Sequence, residues 1–432
     1  MKIPPKGKTP LSLAIIIIAV IALMSATFTE DLRVLTGTST FKAKAAAAAS
    51  SSSSTSTSTS TSVERDVSSR ETSEAVVDEE DKIEFKRKKC STTKGKWVFN
   101  SSKEMPYTDE SCPYLDKQLV CQRNGRPDDK YLYWEWELDD CTLPRFNVEN
   151  VLQKLRGKRL MFVGDSLQRA QWQSFVCLIQ AHIPPKRKLI KRNEANCWFK
   201  AKDYNATIEF YWTPFIVESN TDKYIVPDPN KRILRVDSIS AHAQSWVGVD
   251  ILVFSTYTWW MSVESIKCSW HSFVNGEEGY DELDRRIAYR LGIKTWANWI
   301  DSFINPNTTR VFFATMSPSH TRSLDWGRED GIQCYNETMP VARRGFSGSG
   351  TDMEMMQAVT DVVERMKVPV TVLNVTQLTN HRIDAHVSVY TQLDGKVLSD
   401  EQKKNPHRYA DCIHWCLPGV PDIWNQLLYA YL

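Results

Sequence analysis

Three residues in this chain have the types and surroundings that nucleophilic acyl chemistry needs. Gly164-Asp165-Ser166 closes the short apolar run that begins at Arg159 and opens an amphipathic stretch. A glycine there allows a sharp turn and close approach of backbone. A serine at the start of a helix meets free N–H groups and the positive end of the helix dipole, which favour a developing oxyanion. Gly-Asp-Ser is a common tripeptide, and a serine that merely caps a helix would account for it equally well. Its place at a strand–helix junction is what marks Ser166 as a candidate nucleophile.

A serine nucleophile requires a base. Among eight histidines His414 stands apart, because Asp411 lies three residues before it in Asp411-Cys-Ile-His-Trp-Cys-Leu-Pro-Gly419. On one helical turn this spacing puts carboxylate and imidazole on a shared face, where the aspartate orients the ring and stabilises its charged form. Cys412 and Cys416 flank the histidine, and disulfides there would pin the segment that carries it. His320, in Met316-Ser-Pro-Ser-His320, and His386, in Asp384-Ala-His386, are the rival bases. With no His-Glu-x-x-His and no paired Cys-x-x-Cys in the chain, no metal is expected.

The elements that must position these residues alternate. Arg159–Gly164, Val249–Phe254, Val311–Met316 and Val368–Leu373 read as buried strands. Leu167–Gln180, Asp281–Phe303, Asp352–Met366 and Pro421–Leu432 carry helical apolar spacing. Between Tyr204 and Glu218 an alternating run reads as a further strand or hairpin. This rhythm predicts an α/β fold, a three-layer parallel sheet with helices on both faces and its chemistry at the carboxyl ends of the strands.

The flanking sequence indicates a compartment. Leu11–Phe28 is eighteen residues without a charge, preceded by Lys2, Lys6 and Lys8 and followed by Glu30 and Asp31. That pattern predicts a type II signal-anchor with a cytosolic tail at 1–10 and the remainder in the lumen. The competing reading is a signal peptide cleaved near Ala43-Lys44-Ala45. Ten cysteines and five Asn-x-Ser/Thr sequons, at Asn100, Asn205, Asn307, Asn336 and Asn374, agree with the secretory pathway. Residues 29–89, rich in Ala, Ser and Thr and then in charge, form a stem too polar to pack a core. A cysteine-rich cap is expected at 90–146 and the catalytic domain at 147–432. A net charge of +2 without a basic stripe argues against nucleic acid.

Gly164-Asp165-Ser166 and Asp411-x-x-His414 together resemble the two ends of the SGNH/GDSL hydrolase pattern. The landmarks between them are similar to those of the plant trichome birefringence-like family: Asn124-Gly-Arg-Pro-Asp128, Leu143-Pro-Arg-Phe146, Phe162-Val-Gly-Asp-Ser-Leu167, Trp259-Trp260 and Met316-Ser-Pro-x-His320. The stretches Arg290–Asn298 and Arg382–His386 resemble the xylan O-acetyltransferases of that family. The resemblance implies an acetyl-serine on Ser166, with His414 as base and Asp411 as its orienting partner. It also implies a xylan acceptor, an acetyl donor such as acetyl-CoA or a carrier delivered by a membrane protein, no bound cofactor, and residence in the Golgi membrane.

Gly164, Asp165, Arg169 and Ser255 are the expected oxyanion and support residues. Ser255 stands where many members have asparagine, Ala170 where asparagine or glycine is frequent, and Glu135 where arginine is frequent. Trp259, Trp260, His320 and Arg322 are the expected acceptor groove. Spacing alone leaves disulfide connectivity open. The pairs expected beside the resemblance are Cys90–Cys141, Cys112–Cys177, Cys121–Cys416 and Cys334–Cys412. Two other functions fit the same residues: an acetyl esterase that uses water as acceptor, and a wall-polymer binder without catalysis.

Overall fold

The computed structural model describes residues 90–192, 196–270 and 279–432. The expected anchor at 11–28 and stem at 29–89 lie outside them; among the described residues no helix is long and apolar enough to cross a membrane.

The centre is a seven-stranded sheet. Its order is Val370–Leu373, Arg310–Ala314, Ile251–Phe254, Arg159–Gly164, Ala206–Trp212, Asn196–Ala201 and Lys188–Arg192. The first five strands are parallel; Asn196–Ala201 runs against them, and Lys188–Arg192 pairs antiparallel with Asn196–Ala201 and so turns back to the common direction. The sheet is therefore mixed rather than wholly parallel. The short links on either side of Asn196–Ala201 can close hairpins but cannot cross over a sheet face. Lys188–Arg192 reads poorly as a strand because it is a charged edge, the composition that protects an edge from pairing with another chain.

Pleating divides the side chains of the central strand between two cores. Leu160 and Phe162 pack against Trp172, Phe175, Val176 and Ile179 of helix Ser166–Gln180, beside Leu428 and Tyr429 of the closing helix Val420–Tyr431. Met161 and Val163 face the other way, toward Ile293, Trp296 and Ile300 of helix Arg285–Phe303 and Met355 and Val359 of helix Met353–Val363. Three layers result, as alternation of strand and helix predicts. Helix Arg285–Phe303 begins four residues later than the expected Asp281. Residues Asp281–Asp284 pair instead with Ser265–Cys268 in a second, four-stranded sheet, and the Asp284 side chain caps the helix by accepting from the Arg286 and Ile287 N–H groups.

The cap is no separate body. Tyr107, Leu119, Val120 and Tyr131 share one core with Leu167, Leu178, Trp415, Val420 and Trp424. Disulfides Cys112–Cys177 and Cys121–Cys416 join cap to catalytic part, Cys90–Cys141 closes the cap, and Cys334–Cys412 ties down a downstream loop. Cys197 and Cys268 are unbridged and buried.

Candidate active site

Ser166 is the first residue of its helix, and the cap is Asp165. The Asp165 carboxylate accepts from the Leu167 N–H at 2.9 Å and from Gln168 at 3.5 Å, so the serine hydroxyl is not spent on capping. Burial raises the Asp165 pKa, and those two N–H groups and His414 offset part of the rise. A β-carbon on Gly164 would strike the Ser255 carbonyl oxygen, which is why this turn needs glycine. Gln168 donates to the Val253 carbonyl at 2.9 Å and fastens the start of the helix to the neighbouring strand.

His414 and Asp411 lie on strand Asp411–Trp415, not on the helical turn that their spacing implies. A regular strand would carry residues three apart to opposite faces. Here the pairing with His386–Ser388 is irregular: His386 faces Trp415, while Ser388 faces Asp411. The longer side bulges, and Ser388 takes a φ of 50°. Within the bulge one Asp411 oxygen accepts from the Ile413 and His414 N–H groups at 3.0 and 2.9 Å, and the other meets His414 Nδ1 at 2.7 Å. The side chain closes its own main-chain turn and so delivers the i, i+3 contact without a helix.

A carboxylate only accepts, so Nδ1 carries the proton and Nε2 is left bare. That Nε2 lies 2.7 Å from Ser166 Oγ and accepts from its hydroxyl. Burial pushes His414 down, but the Asp411 charge and hydrogen bond outweigh it and leave its pKa above the ordinary 6.5. Burial likewise pushes Asp411 up; the His414 charge and hydrogen bond, with the two N–H groups, hold it well below the carboxylate range. The two side chains remain 29% (Asp411) and 28% (His414) exposed, so solvent or substrate reaches them. Cys412 and Cys416, bridged to Cys334 and Cys121, bracket the histidine.

Such an arrangement can deprotonate the serine, hold the imidazolium that results, and return the proton to a leaving group. Ser255 is half-buried; it donates its main-chain N–H to the Val163 carbonyl at 3.0 Å, and its own carbonyl lies against Gly164. Arg169, one turn along the helix from Ser166, pairs with Asp116 at 3.1 Å.

The expected groove is only partly assembled. Trp260 is fully buried, its indole N–H on Thr256 and its ring against Phe215 and Tyr289, so it is core rather than groove. His320 is 2% exposed and also does not face substrate. The Arg322 side chain is 63% exposed and its nearest charge is Asp325 at 3.9 Å. Trp259 does reach the surface. Its ring stands edge-on to Trp212 with centroids 5.5 Å apart, and the Arg232 guanidinium lies 4.0 Å above it. Trp212 is opposite Gly164 in the sheet register and 5.8 Å from the Arg169 guanidinium, which puts it beside Ser166. Sequence reasoning missed Trp212; its only signal was that it ends the alternating run Ala206–Trp212.

Of the sequons, Asn205, Asn307 and Asn336 are exposed, Asn100 is half-buried, and the Asn374 amide oxygen is buried. No group of His, Cys, Asp and Glu among the described residues could hold a metal ion.

A serine, histidine and aspartate so placed at the carboxyl edge of a parallel-rich sheet define a serine-dependent acyl site of the SGNH type. Residues 143–431 match the GDSL/SGNH-like acyl-esterase family found in Pmr5 and Cas1p, and residues 88–142 match the PMR5 N terminal domain. The chain belongs to that family. It is 53% identical to probable xylan O-acetyltransferase 8 of Oryza sativa subsp. japonica, over 99% of this chain and 98% of the relative. It is 56% identical to protein trichome birefringence-like 3 of Arabidopsis thaliana, over 85% and 86% respectively. Xylan O-acetyltransferase 6 of rice is 46% identical over 79% of this chain and 62% of its own length.

Proposed function

We propose that this protein is a polysaccharide O-acetyltransferase that acetylates O-2 or O-3 of xylosyl residues in xylan. The observation that carries the proposal is the continuous hydrogen-bonded line from Asp411 through His414 to Ser166 Oγ, in a chain 53% identical over nearly its whole length to a probable xylan O-acetyltransferase.

In the first half-reaction Ser166 Oγ attacks the acetyl carbonyl while His414 Nε2 takes the hydroxyl proton. The tetrahedral intermediate collapses, the donor's leaving group departs with that proton, and acetyl-Ser166 remains. In the second, His414 deprotonates a xylose hydroxyl, the sugar oxygen attacks the acetyl carbonyl, and Ser166 Oγ leaves and recovers the proton. The Ser166 N–H and the Ser255 hydroxyl are the proposed oxyanion donors. Trp259 and Trp212, with Arg232 and Arg169, form the proposed wall on which a neutral sugar chain lies, since sugar rings stack on aromatic faces while arginines bond to hydroxyls. The donor is acetyl-CoA or another acetyl carrier supplied at the membrane. The proposed setting is the Golgi lumen, with a type II anchor at 11–28.

The test is acetyl transfer from a donor to xylo-oligosaccharides, with products followed by mass spectrometry beside Ser166→Ala and His414→Ala. Acetylated product from the wild type and none from either variant supports the proposal. Loss of acetyl from pre-acetylated xylan without transfer makes the protein an esterase. Binding without turnover leaves only a polymer-binding role.

A further inference from the structure

Behind the base-bearing strand lie two histidines that the reaction does not use. His320 Nδ1 and His386 Nε2 are 2.7 Å apart and wholly buried. The outer nitrogen of each ring faces a main-chain carbonyl: His320 Nε2 meets Asn380 O at 2.8 Å, and His386 Nδ1 meets His414 O at 3.0 Å. The three contacts form one line that ends on the backbone of the catalytic base.

Carbonyl oxygens only accept, so both outer nitrogens must carry hydrogen. Two neutral imidazoles hold two hydrogens in all, and the outer contacts consume both. The inner contact would then set two nitrogen lone pairs against each other at 2.7 Å, unless a third proton lies between them.

We propose that His320 and His386 share a single proton, and that the resulting pair is a positioning device that clamps the main chain of His414. Its role in the reaction rests on the acetyltransfer reading above; its protonation does not. The pair is imidazole and imidazolium, with one positive charge over two rings.

Several groups set the stability of that charge. Burial opposes it, pushing His320 down to about 4 and His386 well below its ordinary value. His381, on the His320 side, and His414, on the His386 side, oppose it too, while Asp325 and Asp411 favour it. The Arg126 guanidinium sits on the His386 carbonyl at 3.1 Å and adds a positive neighbour. In favour stands the face of Trp415, against which the His386 ring is stacked at 3.8 Å with 22° between planes. The Trp326 and His320 rings lie 5.8 Å apart, at 80° to each other. Losing the proton would leave a buried polar contact unmade, which costs the full desolvation of that group. The Trp415 indole is fixed in turn by Ser317 at 3.0 Å, so the stack is anchored from both sides.

The shared proton is read directly in the full-length chain labelled with 15N-histidine, the two rings being assigned by their proximity to Trp415 and Trp326. At neutral pH we expect three N–H protons over the four ring nitrogens, one of them far downfield between the rings. Two protons over four nitrogens would overturn the proposal, and this measurement needs no acetyl transfer. For the positioning role, His386→Phe keeps the stack on Trp415 and removes both hydrogen bonds. A kcat lowered about ten- to a hundredfold with KM for xylo-oligosaccharide unchanged is expected, since a small misplacement of the base has that size of effect. A folded His386→Phe protein with wild-type kcat would overturn the positioning role. If that variant does not fold, the proton count in the wild type still decides the shared proton, and the kcat and KM of His320→Gln, which breaks the line one ring further from His414, decide the positioning role, a wild-type kcat overturning it.

Discussion

The carbonyl oxygen of Ser255 occupies the space that a β-carbon on Gly164 would need. The residue that follows strand Ile251–Phe254 thus lays its carbonyl against the turn that holds the nucleophile, and the two elements can approach only if that turn is glycine. Gly164→Ala is expected to displace Ser166 from His414 and lower kcat by on the order of a hundredfold. Overpacking should cost about 1–3 kcal/mol in denaturant unfolding. Kinetics and unfolding of the same preparation check both numbers.

Asp411 closes the main-chain turn of the bulge and holds the His414 ring, and in the proposed mechanism the second contact orients the base. Asp411→Asn keeps the shape and gives up the charge. Its kcat should fall about three to four orders of magnitude, as expected when a triad histidine loses its orienting carboxylate. The pH profile carries a second check. His414 acts as a base only when neutral, and its pKa is raised, so wild-type kcat/KM should fall as pH drops through a value above 6.5. In Asp411→Asn that acidic limb should move to lower pH, because the group that raises the histidine is gone.

The strand that carries the proposed base is also held covalently. The Cys334–Cys412 bond closes a sequence separation of 78 residues and enters the base-bearing strand two positions before His414. Replacing both cysteines by alanine should cost about 4.5 kcal/mol of stability by the loop-entropy relation. At temperatures where the variant is still folded, acetyl-enzyme formation should be slower than in wild type. A denaturant series and single-turnover kinetics separate the two effects.

Much of this was legible in local periodicity. The strand Arg159–Gly164 and the helix Ser166–Gln180 are strong because apolar spacing and the glycine agree, and the position of Ser166 follows from them. The base-bearing strand was not legible. Asp411-x-x-His414 reads as a helical turn because the contact that makes it a bulged strand comes from Ser388, upstream in the chain, and from side-chain bonds to the backbone. Trp259 and Trp260 are adjacent and chemically identical in sequence. Phe215 touches both rings, and it is packing against Tyr289 and Gly292 that sends Trp260 inward. Trp212 escaped notice for the converse reason, since its place beside Ser166 depends on sheet register with Gly164.

That register yields a prediction for the acceptor. Trp212→Leu and Trp259→Leu should raise KM for xylo-oligosaccharide by roughly tenfold or less each, the scale of one aromatic contact. The rate of acetyl-enzyme formation from the donor alone should not change. An effect on the donor step instead would move the acceptor away from this wall.

The central claim is that Ser166 carries the acetyl group between donor and sugar, and trapping that species tests it most directly. The full chain would be mixed with an acetyl donor, quenched in acid and mapped by peptide mass spectrometry, then chased with xylo-oligosaccharide in a parallel sample. The account predicts an acetyl group on the Ser166 peptide, absent in Ser166→Ala, that disappears in the chase as acetylated oligosaccharide forms in equal amount. Acetylated sugar produced while Ser166 stays unmodified, or by the Ser166→Ala variant at the wild-type rate, would contradict it.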